Sequence, residues 1–194
     1  VCVIGAGFSG VSAALELTER GYSVVVLESE RIGFGASGRN GGFVMSWWPK
    51  IGTLKSFCTQ EQALFLGRSA ERAIYELGEF CEQHKIDAHF HQKGWLWTAT
   101  TPDHINTWKG TLDACARLGV TPFELLSSAE VARRTGSSIH LAGVIEKSNA
   151  TVQPGALVRG MRRVALDQGI NIYEKSGAVN ITPGNVVKVE TERG

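Results

Sequence analysis

The chemistry-bearing residues nearest the start of this chain are the glycines of Gly5-Ala6-Gly7-Phe8-Ser9-Gly10, followed by an acid, Glu28. Glycines at this spacing suit the binding of a diphosphate. Gly5 permits a tight turn, Gly7 leaves no side chain in the way of a pyrophosphate, and Gly10 allows a helix to pack closely on a strand. Phe8 and Ser9 supply backbone N–H groups at the same place. A carboxylate about 20 residues later suits the hydroxyls of a ribose and repels a 2′-phosphate.

Six residues matching a glycine pattern are weak evidence until the elements around them agree. Here "VCVIG" is a short apolar run that predicts a buried strand, and "FSGVSAALELTERG" carries Val11, Ala14, Leu15 and Leu17 near helical spacing and stops at Gly21. "YSVVVLE" predicts a second buried strand, ending at Glu28. Strand, helix and strand in this order form a βαβ unit with parallel strands and a right-handed crossover. The glycines then sit at the helix N-terminus, where free N–H groups and the helix dipole favour a phosphate.

NAD and FAD share this arrangement, so the first motif leaves both open. A second stretch, "ESERIGFGASGRNGGFV" from Glu28 to Val44, favours FAD. It is too rich in glycine for a helix or central strand. FAD extends past its diphosphate into a ribityl chain and a ring system, which need further donors and close backbone approach. Ser37, Arg39 and Asn40 add side-chain donors, and Gly41-Gly42 lets the chain pass along the ring. Ser29, Arg31 and Ala36 complete the candidate cofactor contacts.

These two stretches resemble the D-amino-acid oxidase family of FAD-dependent oxidoreductases, which includes glycine and sarcosine oxidases. "GASGRNGG" is nearest the γ-glutamylputrescine oxidase-like branch. The resemblance continues through "SAERAIYELGEF", "GWLWTATTPDHINTW", "LLSSAEV" and "VQPGALVRGMRRVALDQGINIYE", nearly the whole chain. It implies an α/β fold: a Rossmann-like FAD-binding domain with a parallel sheet, interrupted by an inserted α+β substrate domain. Residues 1–90 would be the first part of the FAD domain, 91–150 the start of the substrate domain, and 151–194 the return. It also implies that Val179 places its backbone on the adenine. The implied activity is oxidation of an amine or amino acid by hydride transfer to FAD, with dioxygen or another acceptor reoxidising the flavin. An NAD-linked dehydrogenase and a non-catalytic nucleotide-binding module are the rival readings.

The chain reads as the N-terminal piece of a longer protein, because a strand pattern begins at Val1 and another ends near Gly194. Alone it is expected to be inactive. Groups that grip the substrate are expected beyond Gly194, so no catalytic residue is assigned.

The remaining segments predict a helix over "TQEQALFLGRSAERAIYELGEFCEQHK", a strand pair over "AHFHQKGWLWTAT", and a helix over Asp103–Leu118. A capped helix at "SSAEVARRTG", a strand at "IHLAGVIEKS", a helix from Pro154 to Gly169 and three strands follow. A net charge of +1 gives no pull toward nucleic acid or a membrane surface, and no apolar run is long enough to span a bilayer. The four cysteines are scattered, without CxxC or zinc spacing, and read as reduced thiols of a cytoplasmic protein. His84, His89, His91 and His104 share no metal spacing with a carboxylate, and Ser9 and Ser37 have no hydrolase partners.

Overall fold

A computed structural model describes residues 1–192 and 194. In chain order the elements are β1 (Cys2–Ile4), α1 (Phe8–Glu19), β2 (Val25–Leu27), β3 (Phe43–Val44), α2 (Ile51–Leu54), α3 (Gln60–Gln83), β4 (Trp95–Ala99) and α4 (Lys109–Arg117). There follow β5 (Phe123–Ser127), α5 (Ser128–Thr135), β6 (Ala142–Glu146), β7 (Ala150–Thr151), α6 (Pro154–Asp167), β8 (Asn171–Tyr173), β9 (Ala178–Thr182) and β10 (Lys188–Thr191). The chain divides into two compact units, residues 1–42, 80–89 and 152–194 in one, and 43–79 and 90–151 in the other. Residues 43–79, expected in the first domain, therefore pack within the second unit. The glycine loop ends at Gly42, and the chain then pairs β3 with β7 and buries Trp48, Ile51 and Leu54 in that unit's core.

The first unit is built on the expected βαβ. Strands β1, β2 and β8 form a parallel sheet in that order, with Val3 opposite Val26 and Val26 opposite Ile172. Helix α1 buries Val11, Ala14 and Leu15, and α6 buries Leu157, Val158, Met161, Val164 and Ala165, one stripe at helical spacing. The two helices pack together. Each fully buried aliphatic side chain contributes about 1.5–3 kcal/mol. Val26, in the middle strand, is fully buried, whereas the residues of the other face, Cys2, Ile4 and Tyr173, are exposed. Strands β9 and β10 form a separate antiparallel hairpin.

In the second unit β6 lies between β4 and β5, antiparallel to both. Trp95 and Trp97 share one face of β4 as their alternation requires, with ring centroids 5.6 Å apart, and Trp97 meets buried Trp108 edge-on at 6.1 Å. Helix α5 has its capping serine, Ser127, accepting the Glu130 N–H at 3.3 Å.

Two sequence expectations need correction here. Only one strand forms in the segment expected as a pair, because His89 and Gly94 both take positive φ and break the extended chain; His91 keeps an isolated bridge to Thr151. The helix expected from Asp103 begins at Lys109, because Asn106 adopts a φ of 67° and ends the turn at Pro102–His104.

All four cysteines are free. Burial, and secondarily the charge of Glu146, pushes the Cys115 thiol up to about 11. Iodoacetamide at pH 8 is therefore expected to label exposed Cys2 and to leave Cys115 unmodified until the protein is unfolded, read by mass spectrometry of the peptides.

Candidate dinucleotide-binding site

Every predicted site residue falls in the first unit. The Gly5 N–H donates to Leu27 O at 2.7 Å, which ties the motif to the end of β2. Gly10 carries the tightest constraint: a Cβ there would stand 1.9 Å from Gly5 O and 3.5 Å from Val3 Cγ1. Only glycine lets α1 start this close to β1. The helix N-cap is Gly7, which offers no capping side chain, and no acid lies in the first turn. The N–H groups of Ser9 and Gly10 donate to no acceptor among the described residues. This cradle of free donors, with no competing carboxylate in the first turn, fits a diphosphate.

The two glycine-rich stretches meet at one hydrogen bond. The Phe8 N–H donates to Ser37 Oγ at 2.9 Å, and a Cβ on Gly7 would stand 2.9 Å from the same oxygen. The bare Gly7 thus leaves room for the Ser37 hydroxyl. Gly33 N–H reaches Ala6 O at 3.3 Å, a second tie between the stretches.

Glu28 sits at the end of β2, partly buried. Its Oε2 accepts the Ala6 N–H at 2.7 Å, and its Oε1 accepts the Glu30 N–H at 2.8 Å and the Ser29 hydroxyl at 3.3 Å. An ionised carboxylate has about four acceptor positions, so capacity remains for ribose hydroxyls. The backbone of Glu28 bonds to Tyr173 and Ser176, and Gly177 packs against Ser29. Val179 follows on the exposed start of β9.

In the second stretch the Asn40 amide donates to Ala36 O and Ser37 O, and its oxygen accepts the Gly42 N–H at 2.8 Å. Asn40 thus shapes the loop itself. Gly42 has a φ of 75°, and a Cβ there would stand 2.1 Å from Val152 O, so this exit admits only glycine. Arg39 is exposed, its guanidinium 4.2 Å from the Phe34 ring centroid, and Arg31 and Gly41 are also exposed. The Arg39 backbone N–H donates to Ala36 O at 3.2 Å, and of the donors expected here its guanidinium alone makes no hydrogen bond or ion pair among the described residues. A residue that local motifs could not reveal is Glu174, whose Oε1 accepts the Ile32 N–H at 2.9 Å and lies 3.7 Å from Arg162 Nε.

A cleft of about 570 Å³ lies on the exposed sheet face, lined by Cys2, Val25, Leu27, Tyr173, Val187 and Val189. None of the glycine-loop residues lines it. Among the described residues no group of three His, Cys, Asp or Glu could hold a metal, and no helix is long and apolar enough to cross a membrane.

Comparison with known proteins gives consistent findings. A family profile described as "DAO: FAD dependent oxidoreductase" matches residues 1–194. The chain is 31% identical to "Gamma-glutamylputrescine oxidoreductase" of Escherichia coli over its whole length, covering 46% of that protein. It is 30% identical to "Probable oxidoreductase OrdL" of Haemophilus influenzae, covering 45% of it. The chain thus spans just under half the length of these relatives. Its fold matches glycine oxidase from Bacillus cereus with a TM-score of 0.76 at 22% identity, covering all of this chain and 51% of that one. L-amino acid deaminase from Proteus vulgaris matches with a TM-score of 0.76 at 23% identity, covering all of this chain and 44% of that one.

Proposed function

Because this chain belongs to the DAO family of FAD-dependent oxidoreductases, we propose that it supplies the FAD-holding part of an enzyme that oxidises an amine or amino acid. The observation that supports this reading is the pair of uncommitted N–H groups at the start of α1 beside Glu28, which accepts the Ala6 N–H, in a chain 31% identical to an oxidoreductase named for a putrescine derivative. The names glycine oxidase and L-amino acid deaminase among the fold neighbours support the same substrate class.

The residues divide the work of holding FAD. The Ser9 and Gly10 N–H groups, at the positive end of α1, receive the diphosphate. Glu28 accepts ribose hydroxyls and disfavours a 2′-phosphate. The backbone of Val179 takes the adenine. Ser37 fixes the start of α1, while Arg39 and the backbone of Gly41-Gly42 serve the distal part of the cofactor. When bound, FAD supplies the two-electron acceptor for removal of a hydride from the carbon bearing the amine. Residues of this chain bind and orient; none is assigned a proton transfer. The electron acceptor is dioxygen or another oxidant, and the place of work is the cytoplasm.

The test is anaerobic mixing of the complete, FAD-loaded protein with a panel of primary and secondary amines and amino acids, read by the flavin's visible absorption. At least one amine should bleach it. Bleaching by α-hydroxy compounds, glycerol phosphate or NADH alone would overturn the amine reading.

A further inference from the structure

The second unit buries a carboxylate that the FAD site does not use. Glu146, at the end of β6, is 1% exposed, and among the described residues no cation lies within ion-pair distance. Four donors surround it instead. Ser46 Oγ donates to its Oε2 at 3.0 Å, as does the Asn149 side-chain amide. The Ser148 N–H donates to its Oε1 at 3.0 Å, as does the Ser148 hydroxyl. The Asn149 Oδ1 in turn accepts the Ser46 N–H at 2.6 Å, closing a ring through Glu146, Asn149 and Ser46. Ser46, Ser148 and Asn149 are all at least nine-tenths buried.

A buried carboxylate without a cation is costly unless hydrogen bonds satisfy it. Replacing it by an apolar core is the cheaper solution for stability alone, so the ring points to a demand for one fixed geometry. The segment it holds is specific. Ser46 stands just after β3, which continues directly from Gly42, the last residue of the glycine loop. The Ser46 Oγ accepts the Trp48 N–H at 3.4 Å, and the Trp48 indole N–H donates to Glu71 at 3.0 Å. Trp48 is therefore locked inside at 1% exposure, while its neighbour Trp47 stays half exposed.

We propose that Glu146 is a positioning residue that latches residues 43–48, the continuation of the glycine loop, in a single conformation for turnover. Its kinetic consequence rests on the amine-oxidation reading; its structural consequence does not. Cys115, whose thiol the Glu146 charge helps to raise, lies in the same core as Trp48.

Glu146→Gln, Ser46→Ala and the control Val131→Ala should be made in the complete protein. Val131 is fully buried in the same unit but belongs to the cluster of Leu126 and Ile145. Hydrogen exchange by mass spectrometry is expected to be at least tenfold faster over 43–48 in Glu146→Gln, and at least threefold faster in Ser46→Ala. Val131→Ala should accelerate exchange around 126–145 and leave 43–48 unchanged. Turnover per bound FAD should fall at least threefold in Glu146→Gln and not in Val131→Ala. Unchanged exchange over 43–48 in Ser46→Ala, or equal acceleration there by Val131→Ala, would overturn the latch, including when Glu146→Gln fails to fold. A wild-type protein inert to every amine would remove the amine reading and leave the exchange result to decide the latch.

Discussion

Gly10→Ala is expected to strip the complete protein of its FAD. The added Cβ would stand 1.9 Å from Gly5 O and 3.0 Å from Gly5 C, both backbone atoms in the turn that starts the motif. No side-chain rotation relieves that overlap. Either the turn opens or α1 moves away from β1, and both displace the Ser9 and Gly10 N–H groups. Overpacking in a filled site costs about 1–3 kcal/mol, and a clash with rigid backbone belongs at the upper end. At 1.4 kcal/mol per decade, FAD affinity should fall on the order of a hundredfold. The measurement is FAD per chain after purification and dialysis. Retention equal to wild type would mean that the turn is looser than its geometry.

Glu28→Ala should come next in size. It removes the acceptor for the Ala6 and Glu30 N–H groups and, on the proposed reading, for the ribose as well. Hydrogen bonds to a charged acceptor contribute about 1.5–3 kcal/mol each. FAD should therefore bind about tenfold more weakly, or worse. Glu28→Gln separates the two roles. It keeps an acceptor for one backbone N–H but loses the charge, and should recover part of the thermal stability and less of the affinity. Titration of apoprotein with FAD, followed by quenching of flavin fluorescence, gives both constants. Equal affinities in wild type and Glu28→Ala would make Glu28 a backbone clamp only.

The parts legible in the sequence are those whose partners lie close along the chain. The βαβ unit could be read because β1, α1 and β2 follow one another within 27 residues and their apolar spacings differ. The α5 cap could be read because Ser127 and Glu130 are three apart. The glycine-rich stretch predicts close backbone approach to a cofactor, whereas what crowds Gly33, Gly38 and Gly42 is this chain itself, through Val158, Gly33 and Val152. Long-range partners had no such signal. The Glu174 carboxylate reaches Ile32 across 142 residues, and Ser46 reaches Glu146 across 100. The type of Asn40 suits a donor to the cofactor, yet its amide closes its own loop, because the Ala36 and Ser37 carbonyls lie four and three residues back. Two breaks were also invisible. His89 and Asn106 take positive φ, and although Asn and His are enriched there, only a few per cent of non-glycine residues adopt it, so type alone does not mark these two positions.

The most direct test of the central claim, that the two glycine-rich stretches and Glu28 together make an FAD site, is the identity and amount of nucleotide released from the complete protein. It should be denatured after dialysis and the supernatant separated chromatographically. The account predicts FAD at about one per chain in wild type and a sharp loss in Gly10→Ala. Release of no flavin, with NAD binding by titration and unaffected by Gly10→Ala, would contradict it.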